Sequence, residues 1–179
     1  MPDTWKNNDG LFIKFGTSSG VSTHSAGEYK TLDGAGQQVV EVVINLASLT
    51  QTETILNDVV TIPANAHIAW VETVCVVPGL TGTAIDVGLI AISDRTTEVD
   101  FDGFLAAMPT AEFAQVGETR RFYETHTVPT GMTGTGALVG QENTVKGHIS
   151  ASMTDATAFT AGKVKVRIAY IPKGIDTPV

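Results

Sequence analysis

Along most of this chain apolar and polar residues alternate with a period of two, the pattern of strands that bury one face. Residues 38–46, Gln-Val-Val-Glu-Val-Val-Ile-Asn-Leu, show it most clearly and are dense in the β-branched side chains that suit a pleated surface. The same pattern predicts strands over 54–62, 67–77, 83–92, 120–128, 146–153 and 163–171. Glycine and proline cut between these runs, at Pro63, Pro78-Gly79, Gly82, Pro129, Gly131, Gly134, Gly136 and Gly140. Roughly eight short strands at regular spacing, with almost no helical periodicity, predict an all-β fold, a jelly-roll-like β-sandwich. One short helix is expected over 103–108, capped by Asp102 and ended by Pro109. Val43, Ile90, Val166 and Trp70 are expected in the core. On the last strand Val164, Val166, Ile168 and Tyr170 should face inward, with Lys163, Lys165 and Arg167 on the other side.

The first 35 residues follow a different pattern. Residues 16–27 are rich in Gly, Ser and Thr and read as loop or flexible linker. Before them lies Leu11-Phe12-Ile13-Lys14-Phe15, in which Leu11, Ile13 and Phe15 share one strand face and Phe12 and Lys14 the other. The chain therefore divides into an extended N-terminal arm with its loop, 1–35, and a sandwich domain, 36–179. A five-residue strand cannot bury an apolar face alone. It is either an edge strand of its own sandwich or a strand lent to a neighbour. Trp5, Leu11, Phe12, Ile13 and Phe15 are accordingly candidate protein-interface residues.

Composition narrows the partners. With 179 residues the chain is one domain long and can bury roughly 70% of its unfolded surface, so it needs no metal or disulfide to fold. A net charge of −8 repels phosphate backbones, and no nucleic-acid partner is expected. The single cysteine, Cys75, sits in the apolar run Val74-Cys75-Val76-Val77 and reads as core; without a second one the chain suits a reducing compartment. Met-Pro-Asp-Thr-Trp is no secretory leader, and no apolar stretch approaches the ~20 residues of a membrane helix. The expectation is a soluble protein made in the cytoplasm, with no membrane partner. Against the acidic whole, Lys163, Lys165 and Arg167 form a basic stripe, the other candidate interface. It is either a protected strand surface paired with acids such as Glu41, or a surface that meets an acidic partner.

Catalytic and metal patterns in the chain give way to plain structural ones. Gly16-Thr17-Ser18-Ser19-Gly20 matches the nucleophile elbow G-x-S-x-G, but no helix follows it and no βαβ alternation surrounds it. Gly134-Thr135-Gly136-Ala137-Leu138-Val139-Gly140 misses the dinucleotide fingerprint by one position and reads as a turn into a strand. His24, His67, His126 and His148 share no ligand spacing. The run from Asp94 to Gly103 spaces carboxylates by two, as Ca²⁺ loops do, yet lacks the EF-hand order and contains Arg95, so a self-paired solvated loop is expected. No catalytic residue, metal or cofactor is assigned, and the chain is expected not to be an enzyme.

Several segments in order resemble head decoration (cement) proteins of tailed bacteriophages. They are Asp9-Gly10-Leu11-Phe12-Ile13-Lys14-Phe15-Gly16 with Ala26-Gly27-Glu28-Tyr29, then Thr61-Ile62-Pro63-Ala64-Asn65-Ala66 and Asp86-Val87-Gly88-Leu89-Ile90. Asp94-Arg95-Thr96-Thr97-Glu98 with Asp102-Gly103-Phe104, and Phe159-Thr160-Ala161-Gly162-Lys163-Val164, complete the set. The resemblance implies a jelly-roll-like sandwich, a homotrimer, and a place on the outer capsid surface of a virion assembled in the host cytoplasm. The partner would be the major capsid protein, whose subunits the trimer cements near three-fold points. A clamp that engages several subunits at once gains avidity from modest single contacts. The alternative is a carbohydrate- or receptor-binding β-sandwich module of a virion, which would stack sugars on exposed aromatic rings such as Trp5.

Overall fold

The computed structural model describes residues 37–57, 59–123 and 136–173, and the backbone of three earlier strands, Thr4–Lys6 (β1), Phe12–Gly16 (β2) and Ser25–Lys30 (β3). The later strands are Gln38–Asn45 (β4), Thr54–Ile55 (β5), Thr61–Ile62 (β6), Ala66–Leu80 (β7), Ala84–Ala91 (β8) and Glu98–Pro109 (β9). Thr119–Tyr123 (β10), Glu142–Asn143 (β11), Gly147–Met153 (β12) and Ala161–Pro172 (β13) follow. They form two antiparallel sheets. The larger runs β1-β2-β3-β4-β13-β7-β10, with β11 also on β7; the smaller runs β5-β12-β8-β9, with β6 also on β12.

One apolar cluster lies between the sheets, as alternation requires. Val40, Val42 and Ile44 of β4 and Val164, Val166, Ile168 and Tyr170 of β13 are buried in it. From the smaller sheet come Ile85, Val87 and Leu89 of β8, Phe104, Leu105 and Met108 of β9, and Ile149 and Ala151 of β12. Cys75 is buried with them, and its thiol donates to the Phe113 carbonyl at 3.4 Å. Burial, with the Glu118 charge, pushes that thiol above its usual pKa, which keeps it protonated and unreactive.

Four expectations need correction. Residues 103–108 are not a helix but part of β9. Val87 pairs with Leu105 and Leu89 with Asp100, so two steps along β8 face five along β9. The extra residues form a bulge that turns both Phe104 and Leu105 inward. That double apolar step imitates a helix face in sequence. The helical turn comes after Pro109, as a 3-10 turn over Thr110–Phe113. Residues 54–62 are two short strands rather than one, because Asn57 Oδ1 accepts the N–H groups of Val59 (2.7 Å) and Val60 (3.1 Å) and turns the chain. Trp70 is half-buried rather than core, and so is Val43, since the register puts both on the outward face of the larger sheet. Ile90 is buried but on the outward face of the smaller sheet, outside the main cluster.

β2 pairs with β3 and β3 with β4, so the N-terminal strands continue the larger sheet at its edge. This is the internal of the two placements expected for that segment. Most of the Gly/Ser stretch, 17–24, and Leu11 lie outside the described residues.

Candidate interaction surface

Strand pairing places directly opposed residues in rows across a sheet. On the outward side of the larger sheet one row crosses all seven strands: Trp5, Ile13, Tyr29, Val39, Ala169, Trp70 and Tyr123. The neighbouring row is Phe15, Gly27, Glu41, Arg167, Glu72 and Arg121. Two groups far apart in sequence thereby share one face: Trp5, Ile13 and Phe15 from the N-terminal strands, and Lys165 and Arg167 from β13. Phe12 falls in the row Lys6, Phe12, Lys30, Gln38, Tyr170, on the side that carries the core in the sandwich.

From Lys165 to Arg121 the charges on this face are matched. Glu72 is 4% exposed, accepting from Arg167 Nη1 at 2.9 Å and from Arg121 Nε at 2.8 Å. Glu41 accepts from Arg167 Nε at 2.9 Å and pairs with Lys165 Nζ at 3.1 Å. The Arg121 guanidinium also lies 4.3 Å from the Trp70 ring centroid and donates to the Tyr123 hydroxyl at 3.3 Å. The ladder therefore joins four strands through Lys165, Glu41, Arg167, Glu72 and Arg121. Lys163 is exposed at its end, opposite the exposed Val77. Sequence reasoning found the cations and Glu41 but missed Glu72 and Arg121. The signal was a lone carboxylate inside the apolar run of β7, which had to find cations on adjacent strands.

The outward face of the smaller sheet is built differently. A recess of about 670 Å³ opens there, lined by Glu53, Asp86, Glu98 and Asp102, with Arg95, Phe101 and Ile90 among the other lining residues. Burial raises the pKa of Glu53 against the pull of the Ser152 hydroxyl, which donates to Glu53 Oε1 at 2.6 Å. Asp86 is raised by burial and by Asp102, although Ala107 N–H donates to its Oδ1 at 2.7 Å. Beside the recess, burial and the neighbouring Asp102 push Asp100 up to about 6.

The Asp94 loop is self-paired. Its carboxylate accepts from the Thr97 hydroxyl and from the N–H groups of Thr96 (3.0 Å) and Thr97 (2.8 Å), which holds it down at about 2. Among the described residues no three His, Cys, Asp or Glu side chains converge as a metal-ligand set. Residues 136–140 form a turn, with Gly140 at φ 81° donating to the Ile68 carbonyl at 2.7 Å, and β11 follows. His67 and His148 lie in different sheets, while His24 and His126 fall outside the described residues.

Fold and faces together define an antiparallel two-sheet β-sandwich, with an outer face of mixed aromatic and paired charged rows on the larger sheet and an acid-lined recess on the smaller. A chain from the capsid of Ralstonia phage GP4 shares this fold, with a TM-score of 0.51 and 16% identity over 79% of this chain and 88% of that one. A chain from the acidic stable capsid of Helicobacter pylori bacteriophage KHP30 aligns over 81% of this chain and 91% of its own, at 12% identity and a TM-score of 0.42, too distant to add to the assignment. No protein-family model matches the sequence, and no curated protein is similar to it.

Proposed function

We propose that this chain is a virion structural protein that binds the outer surface of a tailed-phage capsid, cements its major capsid subunits and acts as a homotrimer. The observation that carries this reading is the outward face of the larger sheet, where the register joins the apolar N-terminal positions to the basic stripe of β13. The fold shared with a chain of the GP4 capsid supports the setting. On this reading Trp5, Ile13, Phe15, Lys163, Lys165 and Arg167 belong to the contact face, with Leu11 and Phe12 at its N-terminal margin, and residues 1–35 serve binding more than folding. The ion pairs hold the long cationic side chains in place before contact, which lowers the ordering cost of association.

The test is sedimentation of the purified protein with mature, undecorated shells, alongside light scattering of the free protein. Binding at a fixed ratio to capsid subunits and a threefold protomer mass are expected; a protein left wholly in the supernatant would contradict the reading. Trp70 and Tyr123 in the aromatic row favour one second reading, carbohydrate binding. A glycan array distinguishes it, since specific glycan capture that Tyr123→Ala abolishes would favour the sugar.

A further inference from the structure

A short strap, residues 136–141, runs from the smaller sheet to the larger. The N–H groups of Gly136 and Leu138 donate to the Phe104 (3.1 Å) and Gly103 (2.8 Å) carbonyls of β9. Further on, Gly140 N–H donates to the Ile68 carbonyl of β7 at 2.7 Å, and Ile68 N–H donates to the Gln141 carbonyl at 2.9 Å. The strap meets β9 at its bulge, and the approach is so close that side chains are missing on both partners. A Cβ on Gly103 would lie 2.5 Å from Leu138 Cδ1 and 2.8 Å from Asp100 Cγ, and one on Gly136 would strike the Asp102 carbonyl. From the other side, a Cβ on Gly88 of β8 would overlap the backbone of Asp100 and Phe101. Leu138 thus packs over the place where the Asp100 carboxyl is held. That carboxyl is hydrogen-bonded to the Asp102 carboxyl as well as to Asp102 N–H. Two carboxyl groups can hydrogen-bond to each other only while one of them keeps a proton.

We infer that the bulge and the strap form a proton-dependent clasp. With one proton between Asp100 and Asp102 the strap lies closed on β9; its loss frees Gly136 and Leu138 while Gly140 and Gln141 stay tethered to β7. Once that proton leaves, two negative charges face each other beneath an apolar cap, and lifting Leu138 lets water reach Asp100. The strap residues that touch β9, Gly136 and Leu138, bring no charge to offset them. The other charged groups around the bulge are Glu98 on β9, Asp86 on β8, Glu53 beside β5 and Arg95 in the loop before β9. His148 of β12 stands opposite Ile90, in the row that ends at Glu98. Asp100 ionises near 6 in the closed form, against about 3.9 for a hydrated aspartate. Between those values the closed clasp holds more protons than the open one, so closure strengthens as pH falls and is lost as pH rises through about 6.

Amide hydrogen exchange of the full chain at about pH 5 and about pH 7.5, corrected for the intrinsic rate, tests the clasp. Protection of the Gly136 and Leu138 amides should fall about tenfold over that range, the factor that ionisation near 6 when closed and about 3.9 when open requires. The exchange of these two amides should be unchanged by about 1 M urea, as local opening is, whereas β13 amides, which exchange through global unfolding, should respond. In Asp102→Asn the fall should shrink to less than about twofold. A reciprocal arm removes the cap: in Leu138→Ala the midpoint of the Asp100 carboxyl, followed by NMR, should move from about 6 toward the ordinary aspartate value. Equal protection at the two pH values overturns the clasp, and so does strap exchange that follows urea as β13 does. A fall that survives in Asp102→Asn comes from another group, such as His148, and also overturns it. If Asp102→Asn does not fold, the Leu138→Ala titration decides, since an unmoved Asp100 midpoint would show that strap and carboxyl pair are not coupled.

Discussion

The two outer faces of this sandwich treat carboxylates in opposite ways. On the larger sheet Glu72 is held by a cation from the strand on either side and Glu41 by two cations of β13, and a chain of ion pairs crosses β4, β13, β7 and β10. On the smaller sheet Glu53, Asp86 and Asp100 are gathered around a recess, and their pKa values rise because burial penalises their ionised forms. One face has its charges balanced within the fold. On the other, acidic side chains outnumber the one guanidinium beside them, and burial rather than pairing sets how readily they ionise.

Removing one carboxylate from each face breaks or sharpens this contrast most directly. Glu72→Ala leaves two guanidinium groups facing each other across β7. Loss of one member of a buried pair typically costs about 3–5 kcal/mol, but here both arginines are partly in water, so about 2–3 kcal/mol is expected in urea unfolding. Asp86→Asn keeps an oxygen to accept from Ala107 N–H and removes an unfavourable charge, so it should change stability by less than about 0.5 kcal/mol or stabilise the protein. A cost at Asp86 equal to that at Glu72 would erase the distinction.

Deletion of residues 1–15 is the next largest effect, and it falls on function. β1 and β2 lie beyond β3 and β4 at the sheet edge, so the truncated chain keeps β4 and the core that it lines. It should melt near the parent temperature and lose most shell binding. Early melting would show that these strands are needed for the fold, and full binding by a stable truncated chain would remove them from the interface.

A smaller effect appears with pH. Asp100 ionises near 6 in the folded chain, against about 3.9 for an ordinary aspartate. Between those values the folded state holds more protons than the unfolded one, so stability falls as pH rises. The melting temperature should therefore rise between about pH 7.5 and about pH 5, and Asp102→Asn should flatten that rise, because Asp102 helps to raise both Asp100 and Asp86. Asp94, held at about 2, works the other way, and its stabilising share is lost only as the pH falls through that value. A melting temperature that falls steadily from neutral pH would contradict the description of the recess.

Much of the fold was legible because alternation survives where a strand has one buried face, as in β4 and β13. It failed where the ladder is irregular. The bulge in β9 placed Phe104 and Leu105 side by side and imitated a helix, and Asn57 broke an apparently continuous strand. The site was half legible. Lys165, Arg167 and Glu41 stood out as charges on a known strand face, whereas Glu72 was hidden inside an apolar run. The recess could not be read in advance, because Glu53, Asp86 and Asp102 come from three separate segments that pairing through β12, β8 and β9 brings together.

The most direct measurement is the density of intact particles carrying this protein. The account predicts trimers on the outer shell surface, with the outward face of the larger sheet, from Trp5 to Tyr123, turned toward the major capsid subunits. Density that places the chain elsewhere in the virion, or on the shell with that face turned to solvent, would contradict it.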